Sequence, residues 1–162
     1  MSELRPAESC PCGAPTLYDA CCGRYHAGGE PPDAESLMRS RFSAYARRDL
    51  AYLWRTLHPS HDDRQGAFES WRAELASASR TLRFRKLRVL ATSGPDREGI
   101  AHVLFHAVVT DGRKNRSFAE HSRFAHDGTG WRYLDGVALA QRDLPQPISA
   151  LDFDAFHLAA RR

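Results

Sequence analysis

Four cysteines, Cys10, Cys12, Cys21 and Cys22, lie within thirteen consecutive positions near the N-terminus, and the chain contains no others. Disulfides are disfavoured in a reducing cytosol, and adjacent cysteines bridge only with unusual backbone strain. Zinc is commonly bound by four thiolates supplied by two short-range pairs. The spacing therefore predicts one zinc ion held by all four cysteines. Since four sulfurs leave no open coordination position, we expect the ion to be structural.

Two alternatives for this cluster remain open from the sequence. The four cysteines could be free thiols, or three of them could bind the metal with His26 as the fourth ligand. Gly13 and Gly23 follow the two pairs, and glycine permits the positive φ values that turn a backbone around an ion. The two glycines favour a compact loop in this segment.

A second group of candidates lies further along the chain, where carboxylates alternate with aromatic residues. Glu120 falls on the third predicted strand and Asp135 on the fourth, while His58 ends the second predicted helix. If both carboxylates face a cavity, burial would raise their pKa values and suit them to general acid or base catalysis. These three residues are the catalytic candidates.

Each catalytic candidate also has a structural interpretation. A buried carboxylate needs a partner, so we expect Glu120 to be buried and to contact Arg39 or Arg41. Asp135 could form a turn with the glycine that follows it. His58 could simply end its helix before a proline.

Histidines on the second predicted strand form a further candidate pair. His102 and His106 share one face with Leu104 and Val108. They could contribute to a metal site, but no third ligand is apparent from the sequence. Ordinary sheet packing is therefore the favoured interpretation.

Composition restricts the class of protein. A chain of 162 residues suits one ordinary domain plus a small appendage. No run of about 20 apolar residues is present, and residues 1–9 lack the apolar core of a secretory signal, so a cytoplasmic protein is expected. The net charge is only +3 and the basic residues are spread along the chain, so nucleic-acid binding is not expected.

Hydrophobic periodicity predicts helices first and strands afterwards. Apolar residues recur at helical spacing after Asp33 and after Asp49, each a suitable N-cap, and again in residues 66–79. The period then changes to two, with a phase slip at Lys86 that indicates a bulge. The predicted strands are 81–92, 99–110, 115–126 and 130–137. Helices followed by an antiparallel meander indicate an α+β fold.

Glycine and proline mark the predicted boundaries. We predict a zinc-binding module over residues 1–28, an α+β domain over 29–142 and a tail over 143–162, in which Ser149 caps a short helix. Structural zinc supplies the folding energy of such small modules. We therefore expect metal loss to perturb Tyr18 and the rest of the module while the α+β domain survives.

The pattern C-x-C-x8-C-C resembles the SEC-C motif, the zinc-binding tail of the SecA translocase ATPase, although C-P-C-G-A-P stands where that motif usually reads C-P-C-G-S-G. Together with LMRSRFSAY at 37–45, LHPS at 57–60, EHSRF at 120–124 and WRYLDG at 131–136, the chain resembles the bacterial YchJ family over roughly residues 8–140. This resemblance implies a nuclear transport factor 2-like (cystatin-like) fold, in which a cone of helices and a curved antiparallel sheet encloses a pocket. It implies no particular activity.

Two functions follow as hypotheses. The favoured one is a non-enzymatic adaptor, in which the zinc module is an interaction surface and the α+β domain binds a protein or a small ligand. The SEC-C resemblance implies partners in protein export or translation, and the fold implies a homodimer through the outer sheet face. The alternative is an isomerase- or dehydratase-like enzyme that uses the pocket carboxylates. An apolar cavity with an unpaired Glu120 would favour the enzyme, and a Glu120 locked to arginine would favour the adaptor.

Overall fold

The protein, represented by a computed structural model, is described for residues 7–162; residues 1–6 of the predicted zinc module lie outside this part. Five helices are α1 (Cys22–His26), α2 (Ala34–Arg47), α3 (Leu50–Arg55), α4 (Phe68–Ala78) and α5 (Phe153–Ala160). Five strands are β1 (Leu82–Ser93), β2 (Ala101–Asp111), β3 (Lys114–Asn115), β4 (Phe118–His126) and β5 (Trp131–Ala140). Within residues 7–162, none of the helices has the length and apolar character that a bilayer crossing requires.

The strands form one antiparallel sheet in the order β1-β2-β4-β5, and the short β3 pairs with the end of β2. The phase slip expected near Lys86 is present as a register shift between Phe84 and Lys86. Further shifts lie between Val89 and Ala91 and beside Phe124. Such bulges bend and twist a sheet, which allows it to curve around a helix.

The first long helices begin where the sequence predicts. The side chain of Asp33 accepts a hydrogen bond from the backbone N–H of Ser36 at 2.7 Å, and Asp49 accepts from that of Tyr52 at 3.1 Å. Both carboxylates satisfy N–H groups that have no partner inside the helix. Arg48 separates α2 from α3 with a φ of 59°, a left-handed conformation that ends α2.

The main core lies between α2 and the inner face of the sheet. Leu37, Met38 and Phe42 of α2 are buried there. Five alternating residues of β2 that the sequence places on one face all belong to this core: Ala101, Val103, Phe105, Ala107 and Val109. The α2 helix therefore packs across the concave side of the sheet, where the candidate pocket is expected.

The outer face of the sheet is covered by the C-terminal segment. Phe156 of α5 is fully buried against Leu104 and Ala119. The expected cap, Ser149, is wrong: it lies in a 3-10 turn, Ile148–Ala150, and the side chain of Asp152 caps α5 instead. A tail helix is present, and it packs on the sheet.

The cysteine-containing segment packs directly on α2. Cys10, Cys12 and Cys22 belong to the same buried cluster as Leu37. The linker to α2 is fixed as well, because Glu30 forms ion pairs with side chains of α3 and β5. The segment and the sheet thus share one continuous core, and the boundaries after residues 28 and 142 stay predictions.

Candidate functional site: a cysteine cluster and an aromatic cavity

The four cysteine side chains converge. Their Sγ atoms all lie within 4.8 Å of one another, and those of Cys12 and Cys21 are 3.6 Å apart. Tetrahedral zinc with bonds of about 2.3 Å places its sulfurs about 3.8 Å apart, so the spacing fits. The first pair lies in a turn that Gly13 closes with a φ of 83°, and Cys22 begins α1. A glycine is needed at that turn because other residues rarely adopt such a φ.

Three of the four cysteines are buried, and the acidity of the thiols differs within the cluster. Cys12 and Cys22 are each 1% exposed. A side-chain hydrogen bond from Cys22 lowers the pKa of Cys12 to about 5, and the same bond raises the pKa of Cys22. Burial raises the pKa of Cys21 to about 11. A bound cation would favour the thiolate form of its ligands and displace their protons.

The donor set determines what could bind. Four sulfur atoms with no water-facing position suit a structural metal ion and exclude an open catalytic site. The alternative ligand, His26, is wrong: its Nδ1 lies 2.7 Å from the hydroxyl of Tyr18, and its Nε2 donates to the carbonyl of Ser40 at 2.8 Å. The four cysteines can hold a metal ion without it.

A cavity of about 270 Å³ lies between α2 and the inner face of the sheet. Its wall is mostly aromatic, with a few polar groups at one side. The lining residues are Met38, Arg41, Phe42, Tyr45, Phe84, Phe105, Phe118, Glu120, Ser122, Phe124 and Tyr133. Of the three catalytic candidates, only Glu120 reaches the cavity.

The carboxylate of Glu120 is bound by hydroxyl groups. It accepts a hydrogen bond from Tyr133 at 2.8 Å and another from Ser122 at 3.1 Å. Burial raises the pKa of Glu120, and these two hydrogen bonds oppose the shift only in part. The mostly apolar setting thus disfavours ionisation of this carboxyl relative to water.

The expected partnership of Glu120 with an arginine is wrong. Within residues 7–162 no ion pair within 4.0 Å involves Glu120, and Arg39 pairs with Glu35 instead. Arg41 lies in the wall, with its guanidinium 4.7 Å from the ring centroid of Tyr133. Its Nη1 donates to the carbonyl of Leu53 and to the hydroxyl of Thr56. Arg41 thus influences Glu120 only through space and through the tyrosine.

Asp135 lies on the other face of the sheet, so its expected meeting with Glu120 is wrong. Arg123 of β4 is paired with Asp135, while Phe124 is paired with Tyr133, so Leu134 has no partner and forms a bulge. The bulge reverses the alternation between Tyr133 and Asp135. Asp135 consequently accepts two hydrogen bonds of 2.7 Å from Arg123 at the surface.

His58 also stays outside the cavity lining. Its backbone N–H donates to the carbonyl of Tyr133 at 2.8 Å, which fixes the end of the second helical segment against β5. Its Nδ1 accepts from Ser60 at the surface, with the Oγ at 2.7 Å. The structural interpretation of His58 fits this geometry, because both groups maintain the loop.

Gly136 lies beside the polar groups of the cavity wall, and sequence reasoning missed its role. It faces Ser122 across the sheet, and an added Cβ would overlap Oε1 of Glu120 and lie 2.7 Å from the hydroxyl of Tyr133. The missing side chain leaves the room that these two groups occupy. No local pattern signals this need, because it arises from the pairing of β4 with β5.

Three histidines lie in contact on the outer face of the sheet, although the sequence indicated no third ligand to join His102 and His106. Nδ1 of His102 lies 2.9 Å from Nε2 of His121, whose Nδ1 lies 2.7 Å from Nε2 of His157. Asp96 contacts the far nitrogen of His102 at 3.1 Å, whereas His106 contacts Gln141 instead. The imidazoles form a row, and within residues 7–162 only the cysteines converge as three or more metal ligands.

Comparison with known proteins places this geometry in context. Residues 33–136 match the family described as YchJ, middle NTF2-like domain. A UPF0225 protein of Xanthomonas oryzae pv. oryzae is 44% identical over 138 residues, which cover 83% of this chain and 98% of that protein. A UPF0225 protein of Streptomyces avermitilis is 39% identical over 137 residues, which cover 83% of this chain and 87% of that protein.

Two solved structures share the fold. The solution structure of a SEC-C motif containing protein from Rhodopseudomonas palustris matches with a TM-score of 0.66 and 31% identity, over 80% of this chain and 98% of that one. The crystal structure of a SEC-C motif containing protein from Psychrobacter arcticus matches with a TM-score of 0.65 and 23% identity, over 84% of this chain and 86% of that one. The predicted α+β, nuclear transport factor 2-like fold is confirmed.

Proposed function

The chain belongs to the YchJ family, and on that premise we propose that it is a zinc-stabilised protein that binds a small, mostly apolar ligand beside Glu120. The observation that carries this proposal is an aromatic cavity whose one carboxylate has no ion-pair partner among the described residues. By the criterion set from the sequence, such a carboxylate favours the enzyme over the adaptor, and an enzyme and a ligand-binding protein both need a cavity that admits a small molecule.

Zinc is the metal that the cysteine cluster fits best. Tetrahedral sites with four thiolates are typical of structural zinc. Cys10, Cys12, Cys21 and Cys22 would hold it, and the ion would supply folding energy to their loop and to α1. With all four positions filled by sulfur, this ion would take no part in chemistry at the cavity.

The cavity indicates the size and polarity of the ligand. An apolar cavity of about 150 Å³ binds benzene, so a cavity of about 270 Å³ suits a molecule with two fused rings. Its wall offers aromatic faces and one carboxylate with spare acceptor capacity. A flat apolar ligand with one N–H or O–H donor would satisfy both.

Met38 provides a specific reporter for a binding test. It lines the cavity, and the chain has only one other methionine, Met1. We expect indole, which has two fused rings and one N–H donor, to shift the ¹³C-methyl resonance of Met38 in a saturable manner. Glu120→Gln should weaken binding several-fold, because a neutral amide is a poorer acceptor than a carboxylate.

Asp135→Asn is the matched control, since Asp135 is the other candidate carboxylate and lies outside the cavity. It should leave indole binding unchanged. The proposal is wrong if neither indole nor the smaller probe benzene shifts Met38 in a saturable manner.

A second candidate, the isomerase- or dehydratase-like enzyme, is favoured by the raised pKa of Glu120. Because burial raises the pKa of Glu120 in the folded state, ionisation of this carboxyl reduces stability as the pH rises above the ordinary pKa. Glu120→Gln should therefore leave the melting temperature at pH 8 unchanged or raise it, as is common at strained active sites. A fall of more than about 3 °C, or about 1 kcal/mol for a chain of this size, would identify Glu120 as a structural residue instead.

The partner hypotheses from the sequence stay predictions. An adaptor role towards the export or translation machinery depends on the SEC-C resemblance alone. The homodimer expected through the outer sheet face would have to avoid α5, which covers the area around Leu104 and Ala119. Cytoplasmic localisation likewise stays a prediction.

A further inference from the structure

Nine exposed basic side chains lie around the start of β1, and we call this surface the basic edge. They come from three separate parts of the chain: the end of α2, the segment from the end of α4 along β1, and the turn around β3. The members are Arg48, Arg80, Arg83, Arg85, Lys86, Arg88, Arg113, Lys114 and Arg116.

Specific contacts bring these segments together. The guanidinium of Arg48 donates to the carbonyls of Ser79 at 3.2 Å and Arg80 at 2.8 Å, which joins α2 to the end of α4. Nε of Arg85 donates to the hydroxyl of Thr110 on β2 at 2.7 Å. Leu82 of β1 is paired with Asp111, directly before the turn that leads to β3. These contacts join the three segments at one end of the sheet, although the basic residues span almost seventy positions of sequence.

The side chains of the basic edge are not neutralised by ion pairs with other described residues, although Asp111 lies beside Lys114 in the β2–β3 turn. Within residues 7–162, none of its nine side chains forms an ion pair within 4.0 Å, whereas Arg47, Arg55 and Arg132 elsewhere each do. The net charge of the whole chain is only +3, so the remainder of the molecule has more acidic than basic residues. The positive potential is therefore concentrated on one side of the protein.

At one end of the basic edge, Arg48, Arg83 and Arg85 line a shallow cleft of about 320 Å³. The bond from Arg85 to Thr110 uses only Nε, and Arg83 makes one bond, to the carbonyl of Leu82. Both guanidinium groups keep free N–H groups for an anion. Arginine forms bidentate hydrogen bonds with phosphate oxygens, so the cleft suits a phosphate group.

Charges on β1 also have a simpler explanation. β1 is at the edge of the sheet, and charged side chains there prevent pairing with strands of other molecules. That explanation covers the residues on β1 only. Arg48 and the three basic residues around β3 lie outside this strand, so protection of the sheet edge does not account for them.

The lack of exposed apolar side chains in the basic edge distinguishes between two kinds of anionic partner, an acidic protein and a nucleic acid. Protein interfaces depend on apolar anchors at their centre. The large apolar side chains that are most exposed in residues 7–162 are Leu17, Val137 and Leu158, and none of them belongs to the basic edge. A row of cations without anchors is typical of contacts to a phosphodiester backbone. The sequence argued against nucleic-acid binding because its basic residues are spread along the chain, but the fold brings several of them to one end of the sheet. We propose that the basic edge binds nucleic acid through its phosphates, without reading base sequence.

Fluorescence anisotropy with a fluorescein-labelled, single-stranded 20-nucleotide RNA tests this proposal. Arg83→Glu/Arg88→Glu is the informative variant, because neither side chain makes a hydrogen bond beyond its neighbouring residue. Arg97→Glu/Arg161→Glu is the control: both residues are exposed, lie outside the basic edge and give the same change in net charge. A DNA strand of the same sequence distinguishes the two sources of phosphate.

We expect the first variant to bind at least tenfold more weakly and the control to stay within threefold of wild type. Each lost phosphate contact should reduce the slope of log K against log salt by about 0.7, so the first variant should lose about 1.4. Equal losses in both variants, or no binding of either strand at 50 mM salt, would overturn the proposal. So would equally tight binding of poly-L-glutamate, which would identify an acidic protein as the partner.

Discussion

Glu120 and Gly136 show how the cavity depends on single residues. The carboxylate of Glu120 fits beside the hydroxyl of Tyr133 only because Gly136, which faces Ser122 on the next strand, has no Cβ. Gly136 has an ordinary φ, so the constraint is steric and not conformational. Gly136 therefore serves to leave space on the inner face of the sheet.

Gly136→Ala should consequently displace the Glu120 carboxylate and break its hydrogen bond to Tyr133. We expect the free energy of unfolding to fall by about 1–3 kcal/mol, the usual cost of overpacking, and indole binding at Met38 to weaken. Urea unfolding and the Met38 methyl resonance measure the two effects. Gly66→Ala is the control, since its Cβ would meet only an ordinary 3.7 Å contact. Equal stability of the two variants would contradict the steric argument.

At the scale of elements, α5 is attached to the sheet partly through histidines. The contact with Asp96 makes Nε2 of His102 a donor, so its Nδ1 accepts from Nε2 of His121. Nδ1 of His121 then accepts from Nε2 of His157 on α5. A protonated imidazole has no free lone pair, so both hydrogen bonds of the row form only while the accepting rings of His102 and His121 are neutral.

This arrangement predicts a loss of stability in acid. Burial, with His157 and His102 adding to it, lowers the pKa of His121 to about 4, while Asp135 opposes the shift and Arg123 adds to it. Because this folded-state pKa is below the ordinary value of 6.5, the stabilisation is fully present above pH 6.5 and is lost as the pH falls towards 4. Urea unfolding at pH 7 and pH 5 should show the loss.

His121→Gln should reduce this pH dependence, whereas His126→Gln, an exposed histidine beside the β4–β5 turn, should retain it. The raised pKa of Glu120 acts in the opposite direction, but it is common to all three proteins and cancels in the comparison. The same pH dependence in wild type and His121→Gln would show that the row does not hold α5.

At the scale of the whole molecule, the cysteine cluster and the cavity share α2. Sγ of Cys10 lies 3.5 Å from the hydroxyl of Ser43, and Nη1 of Arg39 donates to the carbonyl of Cys12 at 3.3 Å. The same helix supplies Met38 and Phe42 to the cavity wall. A change in the cysteine loop should therefore reach the cavity through one rigid helix.

Metal removal should accordingly shift the Met38 methyl resonance as well as signals from Tyr18. This outcome differs from the independent module expected from the sequence, because the shared core couples the two parts. Metal analysis should find one zinc per chain in untagged protein and none in Cys21→Ser/Cys22→Ser. That variant should reproduce the Met38 shift of the chelated protein, and an unchanged Met38 resonance in both would show two independent units.

Local features of this protein were determined by the sequence alone. The four cysteines lie close together in the chain, so their convergence needs only one short loop and α1. Asp33 and Asp49 cap their helices through bonds to residues three positions on. The alternation along β2 predicts its buried face because that strand has an unbroken period of two.

Only the tertiary structure decided which distant groups meet. The bulge at Leu134 placed Asp135 outside the cavity, and strand pairing with α5 packing aligned His102, His121 and His157. The partners of Glu120 and the gathering of the basic edge likewise depend on contacts between residues far apart in the chain. Register, bulges and packing set such contacts, and a shift of one position turns a side chain to the other face of a sheet. Local sequence patterns do not contain that information.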